Sequence, residues 1–280
     1  MSVINDAYAG PSWERLTTQQ NLLGVAGYLV VVVMGFSFVT NRLADESNPK
    51  LPVRGKHLDD LNKYDKLYQK VNKVLLVPWV LLGLRCAWYD PSMLWEMKDA
   101  SPISVLLPMP LYFIIYDFFY TTIHMLLHLK GVYAYVHKHH HRQKAPSRGS
   151  EDAVNVHPIE FCLGRLSNII TLYLVCRVAK FHIIGFNLVQ LIYTTGSTFS
   201  HSRHDITISL GPLKIWTSRD HDVHHRIPNK NFGRFIKLWD WIYCTYRPYS
   251  DSEPINPKAQ LNPATGKSYE YEKLNAKKQT

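Results

Sequence analysis

The chain has 280 residues, enough for one domain or two small ones, and 46% of them are hydrophobic. Its formal net charge of +10 would suit nucleic-acid binding, but the basic residues follow the pattern of a membrane topology, so no nucleic-acid partner is expected. The four cysteines, at positions 86, 162, 176 and 244, have no paired spacing, which argues against a disulfide framework or a cysteine zinc site.

Several apolar stretches are long enough to form membrane helices. Residues 22–39 are an uncharged run, at the length that a helix needs to cross a bilayer. Residues 74–89 and 103–123 are further candidates, and the stretches 166–178 and 183–199 would together form a hairpin. Buried core helices are the alternative for the weaker stretches. The sequence predicts an all-α fold, a polytopic membrane helical bundle of about four transmembrane helices with a histidine-rich helical domain that holds two metal ions.

The basic residues are divided unevenly between the loops. Eight lysines and arginines lie between residues 41 and 73, whereas Lys98 alone lies between 90 and 102. Because cytosolic loops carry the excess of basic residues, we expect 41–73 in the cytosol and 90–102 on the opposite side. Residues 200–280 are then cytosolic, with 166–199 either a crossing hairpin or a shallow re-entrant one.

Eight of the fourteen histidines fall into three short clusters with metal-ligand spacing. They are His124 and His128; His137, His140 and His141; and His221, His224 and His225. Residues three or four apart are neighbours on a helix, so each spacing predicts imidazoles on one face. Neutral imidazole is the commonest metal ligand in proteins, and this number of rings is enough for two ions. Unrelated surface or core histidines are the alternative, which three clusters in one chain make improbable.

Three further residues are candidates for the same site. Asp117 lies two helical turns before His124 and could orient an imidazole through its second nitrogen, although a hydrogen bond to a neighbouring helix is the alternative. His157 is a candidate tenth ligand, and Glu160 is a candidate acceptor beside the ligands. An ordinary loop that ends at a proline is the alternative for both.

Ligation by nitrogen alone argues against iron–sulfur and structural zinc sites, and at a membrane surface it suits a pair of irons that activate O₂. The order HxxxH, HxxHH, HxxHH, with a hydrophobic hairpin between the second and third boxes, resembles the fatty acid hydroxylase / sterol desaturase superfamily. Over about residues 103–250, the resemblance also rests on Asp117 and Tyr120, on Asn155-Val-His157-Pro158-Ile-Glu160, and on Asn231-Phe-Gly233.

The resemblance implies a multi-pass enzyme of the endoplasmic reticulum membrane, with two non-haem iron ions on the cytosolic side. It also implies that O₂ is consumed and that electrons come from a separate cytochrome b5 or NAD(P)H reductase. His201-Ser-Arg-His204-Asp205 stands where sterol-acting relatives carry a His-Ser-x-x-Asp element. This likeness makes His201 a ninth ligand, His204 an unusual extra and Asp205 a supporting residue. Met125 stands where arginine is common after the first histidine, a departure that bears on the substrate.

The expected function is a membrane-bound monooxygenase of sterol or triterpenoid biosynthesis, acting by methyl oxidation, hydroxylation or squalene-type epoxidation. A desaturase of sterol C5 or of an acyl chain is the alternative within the superfamily. A membrane metal transporter is the alternative from another class, although transporters place their ligands at the bilayer midplane.

Three regions are expected along the chain. They are a membrane-anchoring region at 1–102, a catalytic domain at 103–250, and a polar, loosely ordered cytosolic tail at 251–280. Lys277 and Lys278, near the last residue, resemble the dilysine retrieval signal of endoplasmic-reticulum membrane proteins. Such a signal is read on a cytosolic tail, in agreement with the topology expected from the charges.

Overall fold

The computed structural model describes residues 17–19, 23, 34, 49–211 and 213–279. Most of the predicted span at 22–39 therefore lies outside the described residues. The described part of the chain is mostly helical, as the sequence predicts, and it includes two small two-stranded sheets that the all-α expectation did not foresee.

The elements are, in chain order, α1 (Lys63–Tyr89), β1 (Met93–Leu94), α2 (Pro102–Val105), α3 (Pro108–Leu127), α4 (Lys130–Tyr133), α5 (Ser150–Ala153), α6 (Pro158–Val178), β2 (Phe181–His182), α7 (Ile183–Ser200), β3 (Thr207–Leu210), β4 (Leu213–Thr217), α8 (Ser218–Arg226), α9 (Leu238–Ile242) and α10 (Tyr269–Gln279). Single 3₁₀ turns lie at Met97–Asp99, His140–Arg142 and Pro257–Ala259.

Three segments in the described residues are long and apolar enough to cross a membrane, namely Lys63–Tyr89, Pro102–Leu127 and Pro158–Val178. They coincide with the spans predicted near 74–89 and 103–123 and with the first arm of the predicted hairpin, and α7 forms its second arm over 18 residues. Only 11% of the apolar window of α1 is buried inside the protein. Most of the apolar surface of α1 therefore faces outward, where lipid would cover it.

The turn of the hairpin lies at the end of the bundle remote from the histidine boxes. There β1 pairs in parallel with β2, and Arg177 near the end of α6 forms an ion pair with Asp90, just after α1. At the opposite end, α1 begins beside Arg142, the residue that follows the second box. Because α6 runs from the box end to β2, the hairpin has the length of a full crossing and not of a shallow re-entrant loop.

The start of α1 is anchored to the second histidine box. The Asn62 side chain accepts hydrogen bonds from the amides of Tyr64 and Asp65, and Asp65 accepts one from the Asn62 amide, which completes a capping box. The Asp65 carboxylate is fully buried and also accepts from Arg142 at 2.9 Å and from Asn155 at 3.0 Å. A buried charge needs such partners, so these contacts hold the helix and the box together.

The main core lies where α3, α6 and α7 meet. Tyr112 and Tyr116 of α3 are buried together with Val175 of α6 and Val189 of α7. The Tyr112 hydroxyl donates a hydrogen bond to the Asn168 side chain at 3.0 Å, so its polar end is satisfied inside the apolar core.

The polar tail folds back onto the residues that precede α1. Gln260 donates to the carbonyl of Val53 at 2.8 Å, and the amide and hydroxyl of Ser268 donate to Asp59 at 2.6 and 2.8 Å. The expectation of a loosely ordered tail is wrong for these residues. Composition alone does not reveal which backbone groups find partners elsewhere in the chain.

Candidate metal centre

The nine histidines expected to bind metal come together in two groups. The first group is His124, His128, His137, His141 and His224, and the second is His140, His201, His221 and His225. Within each group, one ring nitrogen per residue lies within 4.8 Å of the others. All nine side chains are buried except His128, which is partly exposed. Each group has enough imidazoles for one metal ion.

The boxes are divided between the two groups. The histidines four apart stay together, as His124 with His128, His137 with His141, and His221 with His225. His140 joins the second group and His224 joins the first. The second and third boxes therefore each contribute histidines to both groups. The second box is also not an α-helix, since His140–Arg142 form a 3₁₀ turn.

The spacing between the rings is that of ligands on a shared ion. In the first group, the Nε2 atom of His137 lies 3.0 Å from the Nε2 atoms of both His124 and His141. In the second group, the Nε2 atom of His221 lies 3.1 Å from those of His201 and His225. Nitrogens bound at right angles to one metal at about 2.1 Å would be roughly 3.0 Å apart.

Backbone carbonyls fix the tautomer of four of these rings. Nδ1 donates to a carbonyl oxygen in His124 (to Phe232, 2.8 Å), His201 (to Ser197, 2.8 Å), His224 (to Lys230, 2.7 Å) and His225 (to Gln143, 2.8 Å). A carbonyl can only accept, so the proton lies on Nδ1 and the Nε2 lone pair points inward. The Nε2 atoms of His128 and His224 are buried without a hydrogen-bond partner among the described residues. Converging lone pairs repel one another, and a bound cation removes that repulsion.

Burial keeps the rings neutral. Desolvation, reinforced by the neighbouring histidines, lowers the pKa of His128 to about 2, and desolvation also lowers the pKa of His224 to about 3. The pKa of His201 falls to about 4, chiefly through desolvation and then through the nearby Arg234 guanidinium. Neutral imidazole is the form that binds metal, so these rings are ready to bind a metal ion at neutral pH.

Glu160 lies beside His137, one of the histidines expected to bind metal. Its Oε2 is 2.8 Å from Nδ1 of His137, and the carboxylate is largely buried at the start of α6. A carboxylate in this position holds the ring orientation and makes the opposite nitrogen a stronger donor to metal.

Asp117 does not contact an imidazole, contrary to its expected role. Its carboxylate accepts hydrogen bonds from the amides of Phe235 at 2.8 Å and Ile236 at 2.6 Å. It therefore fixes the loop after α8, which supplies the carbonyls that orient His124 and His224. These two amides, both bound to Oδ2, offset part of the cost of burying the Asp117 carboxylate inside an apolar helix.

Asp240 fixes the same loop. Its two oxygens accept from the amides of Phe232 and Gly233, both at 2.8 Å. A Cβ at Gly233 would lie 2.7 Å from the Asp240 carboxylate, so only glycine allows this approach. The Asn231-Phe-Gly233 motif was the available signal, and it marks a loop whose carbonyls position the ligands.

Three other residues near the boxes lie outside both groups. The Asp205 carboxylate forms an ion pair with Arg219 at 2.6 Å. His157 caps α6, with its Nδ1 accepting from an amide at 3.2 Å, so it is not placed as a tenth ligand. His204 has its Nδ1 3.2 Å from the hydroxyl of Ser202. The expected supporting role of Asp205 is replaced by a structural ion pair.

Comparison with known proteins finds a matching family model and relatives that are named as sterol-modifying enzymes. Residues 109–245 match the sequence model of the fatty acid hydroxylase family. The chain is 29% identical over 142 residues to the C-4 methylsterol oxidase erg25 of Schizosaccharomyces pombe, a match that covers 50% of this chain and 47% of the relative. It is 30% identical over 146 residues to methylsterol monooxygenase 1 of Rattus norvegicus, covering 49% of this chain and 47% of the relative.

A longer sequence match is to a desaturase. The Delta(7)-sterol 5(6)-desaturase of Candida glabrata is 24% identical over 244 residues, which cover 86% of this chain and 62% of the relative. The chain spans about half the length of the first relatives that it matches. No solved structure matches it significantly.

Proposed function

We propose that the protein belongs to the fatty acid hydroxylase family, whose sequence model matches residues 109–245, and that it is a membrane-bound, non-haem di-iron enzyme that uses O₂ to oxidise a sterol or a related triterpenoid. The observation that carries the proposal is the division of nine buried imidazoles into two adjacent groups. The relatives named as methylsterol oxidases and sterol desaturases support a sterol-like substrate.

Two bound irons would supply the reductive activation of O₂, which no side chain can perform. The chain contributes the arrangement of donors around them. Backbone carbonyls hold the Nε2 atoms of His124 and His224 inward, and Glu160 holds His137. Burial excludes water from the rings, so that protons do not compete for the donor nitrogens.

A sterol desaturase is the second candidate. It is favoured by the length of the match to the Candida glabrata desaturase, which extends well beyond the region of the histidine boxes. A membrane metal transporter is disfavoured, because the ligands lie at the end of α3 and in the segments that follow the spans, and not at their midpoints.

The remaining expectations belong to the same proposal. We place the centre and the last residues on the cytosolic side of the endoplasmic reticulum, with a separate cytochrome b5 or NAD(P)H reductase as electron donor. We also propose a membrane-anchoring region at 1–102, a catalytic domain at 103–250 and a cytosolic tail at 251–280. The family match at 109–245 falls within the proposed catalytic domain.

An oxygen-labelling experiment tests the function. Microsomes that contain the full chain are incubated with ¹⁸O₂ and NAD(P)H beside a His224→Ala variant, and the lipids are profiled. An ¹⁸O-labelled sterol or triterpene formed only by the wild type is the expected result. A new double bond without label would instead identify a desaturase. Identical lipid profiles from two membrane-inserted proteins, with iron bound in the wild type, would contradict a sterol or triterpene substrate.

A further inference from the structure

An apolar cavity of about 880 Å³ lies between α3, α7 and the β3–β4 hairpin. Its size is within the range of about 300–1,000 Å³ that is typical of small-molecule sites. The described residues that line it include no charged side chain, and Thr195 supplies the only hydroxyl. A charged headgroup inside this cavity would lose its hydration without gaining a partner, which is strongly unfavourable.

The rim of the cavity faces the side where lipid would lie. Leu106 beside α3, Ile192 of α7 and Ile208 of β3 line the cavity and are exposed to 53%, 42% and 52%. Since α3 is part of a predicted membrane span, an apolar opening between these residues gives a lipid direct access from the bilayer.

The inner end of the cavity lies one layer of side chains away from the second histidine group. Trp216, Phe235 and Ile236 line both the apolar cavity and a second, much smaller cavity, and the smaller cavity is also lined by His221. Phe235 is held in this wall, because its amide is bound by Asp117 and its ring lies over Gly196. A Cβ at Gly196 would be 2.9 Å from the ring.

We propose that this cavity binds the uncharged hydrocarbon body of a lipid that enters from the bilayer, and that Phe235 is the inner wall that sets how closely the lipid approaches His221. The chemical class is a neutral lipid with at most a hydroxyl, such as a sterol or triterpene, and not a fatty acid or an acyl thioester. The role of Phe235 in the reaction rests on the proposed function, whereas binding in the cavity does not require turnover.

Photolabelling of the iron-loaded full chain in phosphatidylcholine nanodiscs tests the site. The probe is a sterol that carries a diazirine, and the labelled peptides are mapped by mass spectrometry. We expect label on α3, α7 and the β3–β4 hairpin. Unlabelled sterol in excess should remove the label, and palmitate at the same concentration should not.

Adjacent threonines on α7 provide a matched pair of variants. Thr195 lines the cavity, whereas Thr194 is exposed and points its hydroxyl to the carbonyl of Gln190. Thr195→Trp fills the cavity and should lower labelling at least about tenfold. Thr194→Trp should leave labelling at the wild-type level, and both variants should keep the wild-type iron content. Phe235→Ala should extend the labelling to the loop at residues 231–235.

Each outcome bears on a separate part of the proposal. Label confined to α1, or equal labelling of the two tryptophan variants, would overturn the site. Competition by palmitate as strong as that by sterol would overturn the assignment to a neutral lipid. Labelling of the cavity without any oxidised or desaturated lipid would leave the site standing and count against the proposed function. Turnover together with label only outside the cavity would overturn the site and leave the proposed function standing.

Discussion

At the scale of single residues, the direction of each Nε2 lone pair determines whether an imidazole can serve a metal. His201 donates its Nδ1 proton to Ser197 and turns Nε2 toward His221, whereas His204 lies three residues further and outside both groups. The spacing of these two histidines does not predict which of them binds metal. Only the family resemblance favoured His201 over His204. Their difference arises from the end of α7, where the backbone of His201 leaves the helical conformation.

His201→Ala should lose iron while His204→Ala should keep it. Removing His201 leaves three imidazoles in the second group, so affinity at this position should fall by more than about 100-fold, the upper range found when only an outer partner of a ligand is lost. Iron per chain is measured by mass spectrometry after purification, with wild-type protein in parallel. Equal iron in the two variants would show that His201 is not a ligand.

Glu160→Gln should weaken iron binding without removing a ligand. The amide keeps the shape of the side chain but loses the charge that lies 2.8 Å from Nδ1 of His137, so we expect affinity to fall by about 10–100-fold. Competition with a calibrated iron chelator gives the affinity. Glu151→Gln, at an exposed position on α5, serves as the control and should match the wild type.

At the scale of elements, helix geometry explains how the boxes are shared. On a helix of 3.6 residues per turn, positions i and i+4 are about 40° apart, whereas i+3 lies about 60° away on the other side. In α8 this sends His221 and His225 to one group and His224 to the other. The spacing therefore predicts which histidines pair, but the composition of the second group also depends on where α7 and the second box lie in space.

The sequence patterns did not predict the role of the loop between α8 and α9, because the contacts of this loop are made by its backbone amides and carbonyls. Its amides are held by Asp117 and Asp240 and its carbonyls hold His124 and His224. Every residue has a backbone carbonyl, so residue types do not reveal which carbonyls accept a hydrogen bond from a histidine. The sequence marks such a loop only indirectly, through Gly233 and through Asp117, a carboxylate inside an apolar run.

Asp240→Asn should destabilise this loop and lower iron retention together. The carboxylate accepts from two amides and from Thr245, and an asparagine would turn an NH₂ group toward at least one of these donors. We expect the free energy of unfolding to fall by about 1–3 kcal/mol. Thermal unfolding in detergent and iron per chain are the measurements. Asp251→Asn, whose side chain is 78% exposed, should change neither.

At the scale of the whole molecule, apolar length located three helical segments long enough to cross a bilayer. Charge asymmetry is the basis of the orientation that we propose for them. The β3–β4 hairpin was missed, since its Thr207–Leu210 and Leu213–Thr217 strands are short and mixed in character. The docked tail was missed because its partners, Val53 and Asp59, are some 200 positions away in sequence. Long-range backbone pairing of this kind has no local pattern.

The basic residues of the hairpin turn conflict with the expected topology, because a crossing hairpin places Arg177, Lys180 and His182 on the side opposite the cytosol. The ion pair between Arg177 and Asp90 and the burial of His182, whose Nε2 lies 3.1 Å from the Glu96 carbonyl, reduce the exposed positive charge there. The segments 90–102 and 178–182 therefore act as one loop region with little net charge, which is compatible with the non-cytosolic side.

Glycosylation mapping should locate this region directly. A flexible insert with an Asn-x-Thr acceptor between Lys98 and Asp99 should be glycosylated in microsomes, because β1, β2 and the 3₁₀ turn at Met97–Asp99 would face the lumen. The same insert between Ser252 and Glu253, on the side of the histidine boxes, should remain unmodified. A shift in electrophoretic mobility that glycosidase reverses is the readout. The opposite pattern would place the metal centre in the lumen and exclude a cytosolic electron donor.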